Sequence, residues 1–100
     1  MPIHVTAAGP GQPVTLAVSG RFDFATSGEF RTAYAAQPAG TPFVVDLART
    51  EYLDSSALGM LLLLRRHAGD RPESVRIVNA SPDVRRILEI AKVERLCRID

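Results

Sequence analysis

A chain of 100 residues is the size of one ordinary domain, and an apolar fraction of 46% is enough for one hydrophobic core. Basic and acidic residues nearly balance at a net charge of +1, and no basic stripe stands out, so direct nucleic-acid binding is not expected. No apolar run reaches the roughly 20 residues of a membrane-spanning helix, and the polar N-terminus lacks the apolar core of a signal peptide. With a single cysteine and no disulfide framework, the sequence predicts a soluble cytoplasmic protein that does not contact a membrane.

The first part of the chain predicts a hairpin and a helix. Residues 3–7 and 14–18 alternate between apolar and polar side chains, and the segment between them is rich in Gly and Pro, which is typical of a turn. The two runs are predicted to pair as an antiparallel hairpin at one edge of a sheet. Residues 20–25 are expected to be a loop or a strand end. Thr26 and Glu29 have the spacing of a capping box, so a helix is predicted to begin there.

The middle of the chain predicts a strand, a connection and a long helix. Residues 41–47 contain a continuous apolar run, which is typical of a strand covered on both faces. Residues 48–53 are predicted to connect this strand to a helix opening at Asp54, whose side-chain oxygens can accept hydrogen bonds from first-turn N–H groups. The helix is expected to end near His67 or Ala68, before a segment that contains Gly and Pro.

The last part of the chain predicts a strand, a helix and a final strand. Residues 74–78 form the predicted strand, and Ser81 with Pro82 then favours a helix start, because Ser caps and Pro suits the first helical position. Residues 96–99 form the final predicted strand, within which Cys97 is expected to be a buried or half-buried thiol. The order is therefore β-β-α-β-α-β-α-β, an α/β fold whose late crossovers make parallel neighbours and whose opening hairpin makes the sheet mixed.

The helix after Asp54 carries more apolar residues than one buried stripe requires. At about 100° per residue, one face of this helix is already complete, formed by Ala57, Met60, Leu61, Leu64 and Ala68. Leu62 and Leu63 point away from that face, on the same side as Gly59. Either a neighbouring helix covers them or they form an apolar patch for a partner. Gly59 costs around 1 kcal/mol relative to Ala, which suggests a close approach of another backbone, from within the domain or from a bound protein.

Two hydroxyls, those of Ser55 and Ser56, are predicted at the first turn of the same helix. A phosphate on such a serine is favoured by the unpaired N–H groups and the helix dipole, and it adds a charge of roughly −1.5 to −2. A partner pressed onto this turn and the apolar side would then be repelled. The pattern permits a switch in which only the unmodified form binds, although an acid and two serines before an apolar helix also make an ordinary cap.

Four segments of the chain, residues 20–23, 43–47, 53–59 and 77–82, together resemble the STAS domain, and specifically the bacterial anti-sigma factor antagonists. The segment Leu-Asp-Ser-Ser-Ala-Leu-Gly after a Val-x-Asp-Leu strand is the most specific of these features. The resemblance covers nearly the whole chain, so it implies a single STAS domain over residues 1–100. It also implies a mixed sheet of four to five strands with helices mainly on one face.

The resemblance further implies regulation by partner switching. In that family the unphosphorylated antagonist binds an anti-sigma factor that is also a serine kinase with a histidine-kinase-like ATPase fold, and this frees the sigma factor. The kinase then phosphorylates the antagonist and releases it, and a metal-dependent serine phosphatase restores it. No catalytic residue, metal or cofactor of the antagonist itself is expected.

The family pattern implies Ser55 as the phosphorylated residue, because it directly follows the acid, with the adjacent Ser56 as the less favoured position. The implied partner-binding residues are Asp23, Asp54, Ser56, Leu58, Gly59, Leu62 and Leu63. Two departures from the family pattern are expected to matter: the first for the stiffness of the helix start, and the second for the binding mode if a last helix contributes to the partner surface. Family members commonly have Gly where this chain has Ala57, and many continue into a last helix that this sequence does not show.

Two other classes of function are weighed against the switch. A STAS subunit of a phospholipid-transport complex or signalling scaffold would dock its apolar helix permanently on an ATPase, without phosphorylation, but Ser55 directly after Asp54 speaks against it. An enzyme is not expected, because His67 lies roughly 18 Å along the helix from Ser55, too far for a base to reach its hydroxyl. The sequence also has no Gly-x-Ser-x-Gly elbow and no phosphate-binding Gly-rich loop.

Overall fold

Residues 2–7 and 9–100 are described by the computed structural model, and they form a five-stranded sheet and three α-helices. The strands are β1 (Ile3–Ala7), β2 (Val14–Phe22), β3 (Phe43–Leu53), β4 (Val75–Val78) and β5 (Arg98–Ile99). The helices are α1 (Ser27–Ala35), α2 (Ser55–His67) and α3 (Pro82–Ile90). The element order predicted from the sequence is confirmed. In the described ranges no helix combines the length and the apolar character needed to cross a bilayer.

The strands lie in the sheet in their chain order, β1-β2-β3-β4-β5. The β1–β2 pair is the predicted antiparallel hairpin, whereas β2, β3, β4 and β5 run parallel. Each parallel pair of neighbours is joined by a helix, and right-handed crossovers in one direction along a sheet place all of these helices on the same face. The other face carries no helix in the described part of the chain.

Alternate residues of the central strands face the helices and form the core. Leu16 of β2 and Val45 and Leu47 of β3 are completely buried, and Leu61 of α2 packs in the same cluster. Val44, between two buried residues of β3, is only half-buried. The expectation that this strand is covered on both faces is therefore wrong, because the helices cover one face only.

The strand β3 continues to Leu53, so the prediction of a connection over residues 48–53 is wrong. Its pairing with β2 contains two register shifts, each a place where β3 advances by one extra residue. At the first shift the Thr50 hydroxyl donates to the Val18 carbonyl at 2.7 Å, and Asp46 Oδ1 accepts the Ala48 N–H at 2.9 Å. These bonds satisfy backbone groups at the bulge, and they let a polar segment continue the sheet.

The capping box predicted for α1 is also wrong. The Thr26 side chain makes no capping bond to α1, and the cap residue is Asp23, which opens a short 3₁₀ turn before the helix. Glu29 instead accepts the N–H of Ile3 in β1 at 3.0 Å. The Thr26 hydroxyl is engaged with the Asp23 backbone, because it accepts the Asp23 N–H at 3.2 Å and donates to the Asp23 carbonyl at 2.8 Å.

The last two strands are shorter than predicted. The strand β4 begins one residue later than expected, after a 3₁₀ turn over Pro72–Ser74, and β5 is preceded by a 3₁₀ turn over Val93–Arg95. The second turn packs Val93 and Cys97 into the core, where both are completely buried. The predicted caps of α2 and α3 by Asp54 and Ser81 are confirmed.

Burial of Cys97 makes the stability of the fold depend on pH. Burial raises the pKa of the Cys97 thiol from 9.0 to about 11, although the nearby Arg65 guanidinium lowers it in part. The contribution of the buried thiol to the free energy of unfolding is fully present below pH 9.0 and is lost as pH rises to about 11, because only the unfolded thiol ionises between these values.

Urea unfolding at pH 9.0 and at about pH 11 tests this. Between these pH values we expect the free energy of unfolding of the wild type to fall by up to roughly 2–3 kcal/mol more than that of Cys97→Ala. Equal losses in the two proteins would contradict this expectation.

Candidate functional site

Two acidic residues meet where β2 and β3 leave the sheet. Phe22 pairs with Leu53, and the Asp54 N–H donates to the Phe22 carbonyl at 3.3 Å. Asp23 and Asp54 follow these paired residues directly, so the parallel strands bring the two acids to the same edge of the sheet. Ser55, the first residue of α2, lies at this edge as well.

The carboxylate of Asp54 caps α2 and leaves the neighbouring hydroxyl free. Its Oδ1 atom accepts the N–H of Ser56 at 2.9 Å and that of Ala57 at 3.3 Å. Ser55 is exposed, and its hydroxyl makes no hydrogen bond within residues 2–7 and 9–100, whereas Ser56 is half-buried. The Asp54 carboxylate therefore already occupies two of the first-turn N–H groups that the sequence analysis expected to favour a phosphate. A phosphate on Ser55 would project into solvent.

Asp23 is held in place by its own turn. Its carboxylate accepts the Ala25 N–H at 3.0 Å, and the Thr26 hydroxyl accepts the Asp23 N–H at 3.2 Å. Arg21 donates to the second carboxylate oxygen at 3.2 Å, and the Asp23 side chain is 21% exposed. A partner can therefore reach Asp23, but it meets a carboxylate whose charge is partly balanced by Arg21.

Two exposed aromatic residues at the same edge were missed by the sequence reasoning. The Arg21 guanidinium lies over the Tyr52 ring, 4.8 Å from its centroid, because Arg21 and Tyr52 are register partners on β2 and β3. Phe24, in the turn after Asp23, is 76% exposed. The β-favouring residues Thr50 and Tyr52, within the predicted connection, were the available signal. A longer β3 would have placed Tyr52 beside Arg21.

The apolar residues of α2 outside the core lie on two flanks. At about 100° per residue, Leu62 and Leu58 lie roughly 20° and 60° to one side of Ser55, and both are half-buried. Gly59 and Leu63 lie roughly 40° and 80° to its other side. Leu63, 50% exposed, lines the other flank, in a hollow of about 240 Å³ between α1 and α2. The apolar patch predicted from the sequence is thus a strip beside Ser55 plus a separate hollow.

Gly59 is exposed, and a Cβ atom built on it would meet no atom within 4 Å. A close approach of another backbone from within the domain, one of the two explanations offered for this glycine, is therefore wrong. Gly28, in α1, has the same open surroundings. Gly69, just after α2, differs because its φ of +112° is a conformation that favours glycine.

His67 is engaged at the far end of α2. Its Nε2 atom lies 2.8 Å from the Gln37 carbonyl oxygen, and its ring packs against Tyr34 with centroids 5.3 Å apart. Within the described ranges, His, Cys, Asp and Glu side chains form no cluster that could hold a metal ion. The edge thus presents the Ser55 hydroxyl, two carboxylates, the Arg21 guanidinium, two exposed aromatic rings and an apolar strip.

A family model described as "Mlab, STAS domain" matches residues 5–98. The chain belongs to the STAS-domain family. A STAS-domain containing protein of Pseudomonas aeruginosa strain UCBPP-PA14 is 48% identical over 101 residues, which cover 99% of each chain. The resemblance to the STAS domain noted in the sequence is thereby confirmed.

Solved structures of anti-sigma factor antagonists share this fold at low sequence identity. An anti-sigma factor antagonist from Mycobacterium paratuberculosis is 21% identical with a TM-score of 0.72, over 97% of this chain and 84% of that one. Unphosphorylated SpoIIAA, an anti-sigma factor antagonist, has a TM-score of 0.70 at 16% identity, over 98% and 86% of the chains. The phosphorylated form of the Bacillus protein has a TM-score of 0.64 at 16% identity, over 98% and 90%.

The surroundings of the glycines generate a prediction about stability. Because Gly59 and Gly28 are helical and unobstructed, Gly59→Ala and Gly28→Ala should each raise the free energy of unfolding by about 0.5–1 kcal/mol. Gly69→Ala should instead lower it by about 1 kcal/mol or more, because alanine is strained at that φ. Urea unfolding of the three variants measures this, and a destabilised Gly59→Ala would show that the site is not open.

Proposed function

We propose that this STAS domain is an anti-sigma factor antagonist that acts in the cytoplasm by phosphorylation-controlled partner switching, with a binding rather than a catalytic role. The observation that carries the proposal is the exposed hydroxyl of Ser55, which makes no hydrogen bond within residues 2–7 and 9–100. It lies next to the capping Asp54 and on the exposed side of α2, between Leu62 and Gly59. The unphosphorylated form binds an anti-sigma factor kinase of histidine-kinase-like ATPase fold and frees the sigma factor. A serine phosphatase reverses the modification.

Electrostatics supports the switch. Asp54 and Asp23 already place two carboxylates at this edge, and Arg21 lies beside that of Asp23. A phosphate on Ser55 would add a charge of roughly −1.5 to −2 to that group. A partner covering the apolar strip would have to desolvate this charge, which is unfavourable without a matching cation. The unmodified hydroxyl presents no such barrier.

The local structure supports a switch without refolding. The Asp54 carboxylate already caps α2, so the helix start does not depend on the state of Ser55. Leu61 and Leu64, on the opposite side of the helix, are completely buried and hold it against the sheet. SpoIIAA, which has this fold, is known in both unphosphorylated and phosphorylated forms. We infer that phosphorylation here changes which protein binds, not the conformation of the domain.

The partner-binding surface proposed here extends from Asp23 along the exposed flank of α2. Leu58 and Leu62 supply apolar contact area, and Gly59 lets a partner backbone approach the helix closely because no side chain intervenes. Leu63 borders this surface from the other flank and is the most exposed leucine of α2.

The first test is phosphorylation itself. Incubation of the protein with the candidate kinase and Mg-ATP should add one phosphate, measured as a gain in intact mass. Ser55→Ala should abolish the gain, because it removes the exposed hydroxyl. Ser56→Ala is the matched control and should still be modified, since Ser56 is half-buried. If Ser56→Ala gains no phosphate and Ser55→Ala still does, the modified residue is Ser56 and the assignment to Ser55 is wrong.

The second test separates charge from folding. Ser55→Asp should unfold at the same urea concentration as the wild type. In calorimetry it should bind the anti-sigma factor kinase at least tenfold more weakly, because it places a fixed negative charge beside Asp54. Ser74→Asp, which adds the same charge at the opposite edge of the sheet, should bind normally. If Ser55→Asp binds as tightly as the wild type, the electrostatic switch is wrong.

A second candidate function is favoured by the apolar surface alone. The half-buried Leu62 and the 50% exposed Leu63 would also suit a permanent interface, as in a STAS subunit of a phospholipid-transport complex or signalling scaffold. The two candidates differ at Ser55. A permanent subunit would co-purify with an ATPase partner, would gain no phosphate with Mg-ATP and would tolerate Ser55→Ala without any change in regulation.

A further inference from the structure

The face of the sheet without helices contains a cavity that the proposed switch does not use. It has a volume of about 420 Å³ and is lined by His4, Ala17, Ser19 and Arg49, which come from the adjacent strands β1, β2 and β3. A smaller cavity of about 80 Å³ adjoins it and shares Ala17, Ser19 and Arg49. We propose that this open-face cavity, in which an imidazole, a hydroxyl and a guanidinium converge, binds a small soluble phosphate ester.

The cavity exists because a small residue sits between larger ones. Ala17 pairs with His4 on one side and with Asp46 on the other. Side chains of directly paired residues point to the same face of a sheet, so the Ala17 methyl group forms a low floor between longer neighbours. Ser19, two residues along β2, points to the same face and completes one wall.

The first bulge of β3 determines where Arg49 points. Ala17 pairs with Asp46, but Ser19 pairs with Arg49, so β3 contains one extra residue between these pairs. Both Ala48 and Arg49 are exposed as a result. The bulge is fixed by the Thr50 hydroxyl, which donates to a carbonyl of β2 at 2.7 Å in a buried hydrogen bond. Bulges re-aim side chains in this way, and here the guanidinium is brought beside a serine hydroxyl.

The lining of the open-face cavity suits an anion, because Arg49 is its charged side chain. Arg49 makes no ion pair with any residue in the ranges 2–7 and 9–100. Asp46 lines the smaller cavity, but its Oδ1 atom already accepts the Ala48 N–H and the Asn79 side-chain amide, at 2.9 and 3.2 Å. These bonds occupy Oδ1 but leave the Asp46 charge in place, so an anion is best placed in the larger cavity, which is lined by His4, Ala17, Ser19 and Arg49. The planar fork of Arg matches the oxygens of a phosphate, and Ser and His add further donors.

The size of the cavity favours an organic phosphate over a bare ion. Small-molecule sites commonly have volumes of about 300–1,000 Å³, and the open-face cavity lies within that range. A phosphate placed between Ser19 and Arg49 leaves room along β1 and β2 for the group that it esterifies. The site lies on the face of the sheet, whereas Ser55 lies at its edge, so this proposal does not depend on the proposed function.

Titration of amide NMR signals with pyrophosphate and with ADP tests the proposal. We expect saturable shifts confined to residues 4, 17–19 and 46–49. Arg49→Gln should weaken binding at least tenfold, because the fork of donors is lost. Ala17→Leu should weaken it comparably by filling the floor, with thermal unfolding as the check that the sheet is intact. Arg31→Gln is the matched control and should leave binding unchanged, since Arg31 lines the hollow between α1 and α2.

Several outcomes would overturn the proposal. Equal weakening by Arg49→Gln and Arg31→Gln would show general attraction to positive charge. Equal binding of adenosine and ADP would show that phosphate is not recognised, and shifts that never saturate would show that no site exists. Binding to phosphatidylglycerol vesicles, without binding to ADP or pyrophosphate, would assign the surface to a lipid instead. Ser55→Ala should bind ADP normally, which separates this result from the fate of the switch.

Discussion

Phe22 pairs with Leu53, and the Asp54 N–H donates to the Phe22 carbonyl at 3.3 Å, so β2 and β3 stay hydrogen-bonded to each other up to the point where both strands end. Everything at the candidate site depends on this pairing. It brings Asp23 beside Asp54, fixes the residue at which α2 can start, and so exposes the Ser55 hydroxyl at the edge. A shorter pairing would leave the two acids on independent loops and the hydroxyl without a defined position.

The length of β3 also gives the sheet two unlike surfaces. Val45 and Leu47 point into the core, while Asp46 and Arg49 face the side without helices. In a regular strand a one-residue shift would move every side chain to the opposite face, and a bulge also leaves backbone groups without their usual partners. At the first bulge the Thr50 hydroxyl donates to a carbonyl of β2 and so satisfies one of these groups. The same strand can therefore build the core, the open-face cavity and the switch edge.

Local signals in the sequence predicted the elements well where the signal involved neighbouring residues. Asp54 and Ser81 cap helices as expected, because a cap needs only its own first turn. The extension of β3 over residues 48–53 was missed because the bulges break the alternation that identifies a strand. Glu29 was misassigned because its partner, Ile3, is distant in the chain, and a local capping pattern cannot reveal that competition.

The roles of the site residues were predicted in a different way. Spacing alone made Ser55 either a cap or a switch, and only the resemblance to the STAS family favoured modification. The structure adds that Asp54 performs the capping, and that the Ser55 hydroxyl makes no hydrogen bond in the described part of the chain. It also separates Leu62 from Leu63, which the sequence analysis had placed on one side of the helix, because α1 and the hollow beside it lie on the flank that carries Leu63. Neither result could be read from the helix sequence, since both depend on neighbouring elements.

The hydrogen bond from the Ile3 N–H to Glu29 has a consequence for the solubility of the protein. As the outermost strand on its side, β1 presents backbone groups with which a strand of another molecule could pair. The carboxylate of α1 occupies one of those donors and places a negative charge at the rim. At the opposite rim, β5 is only two residues long and offers little length for such pairing. At both borders, less backbone is thus left for edge-to-edge pairing with another molecule.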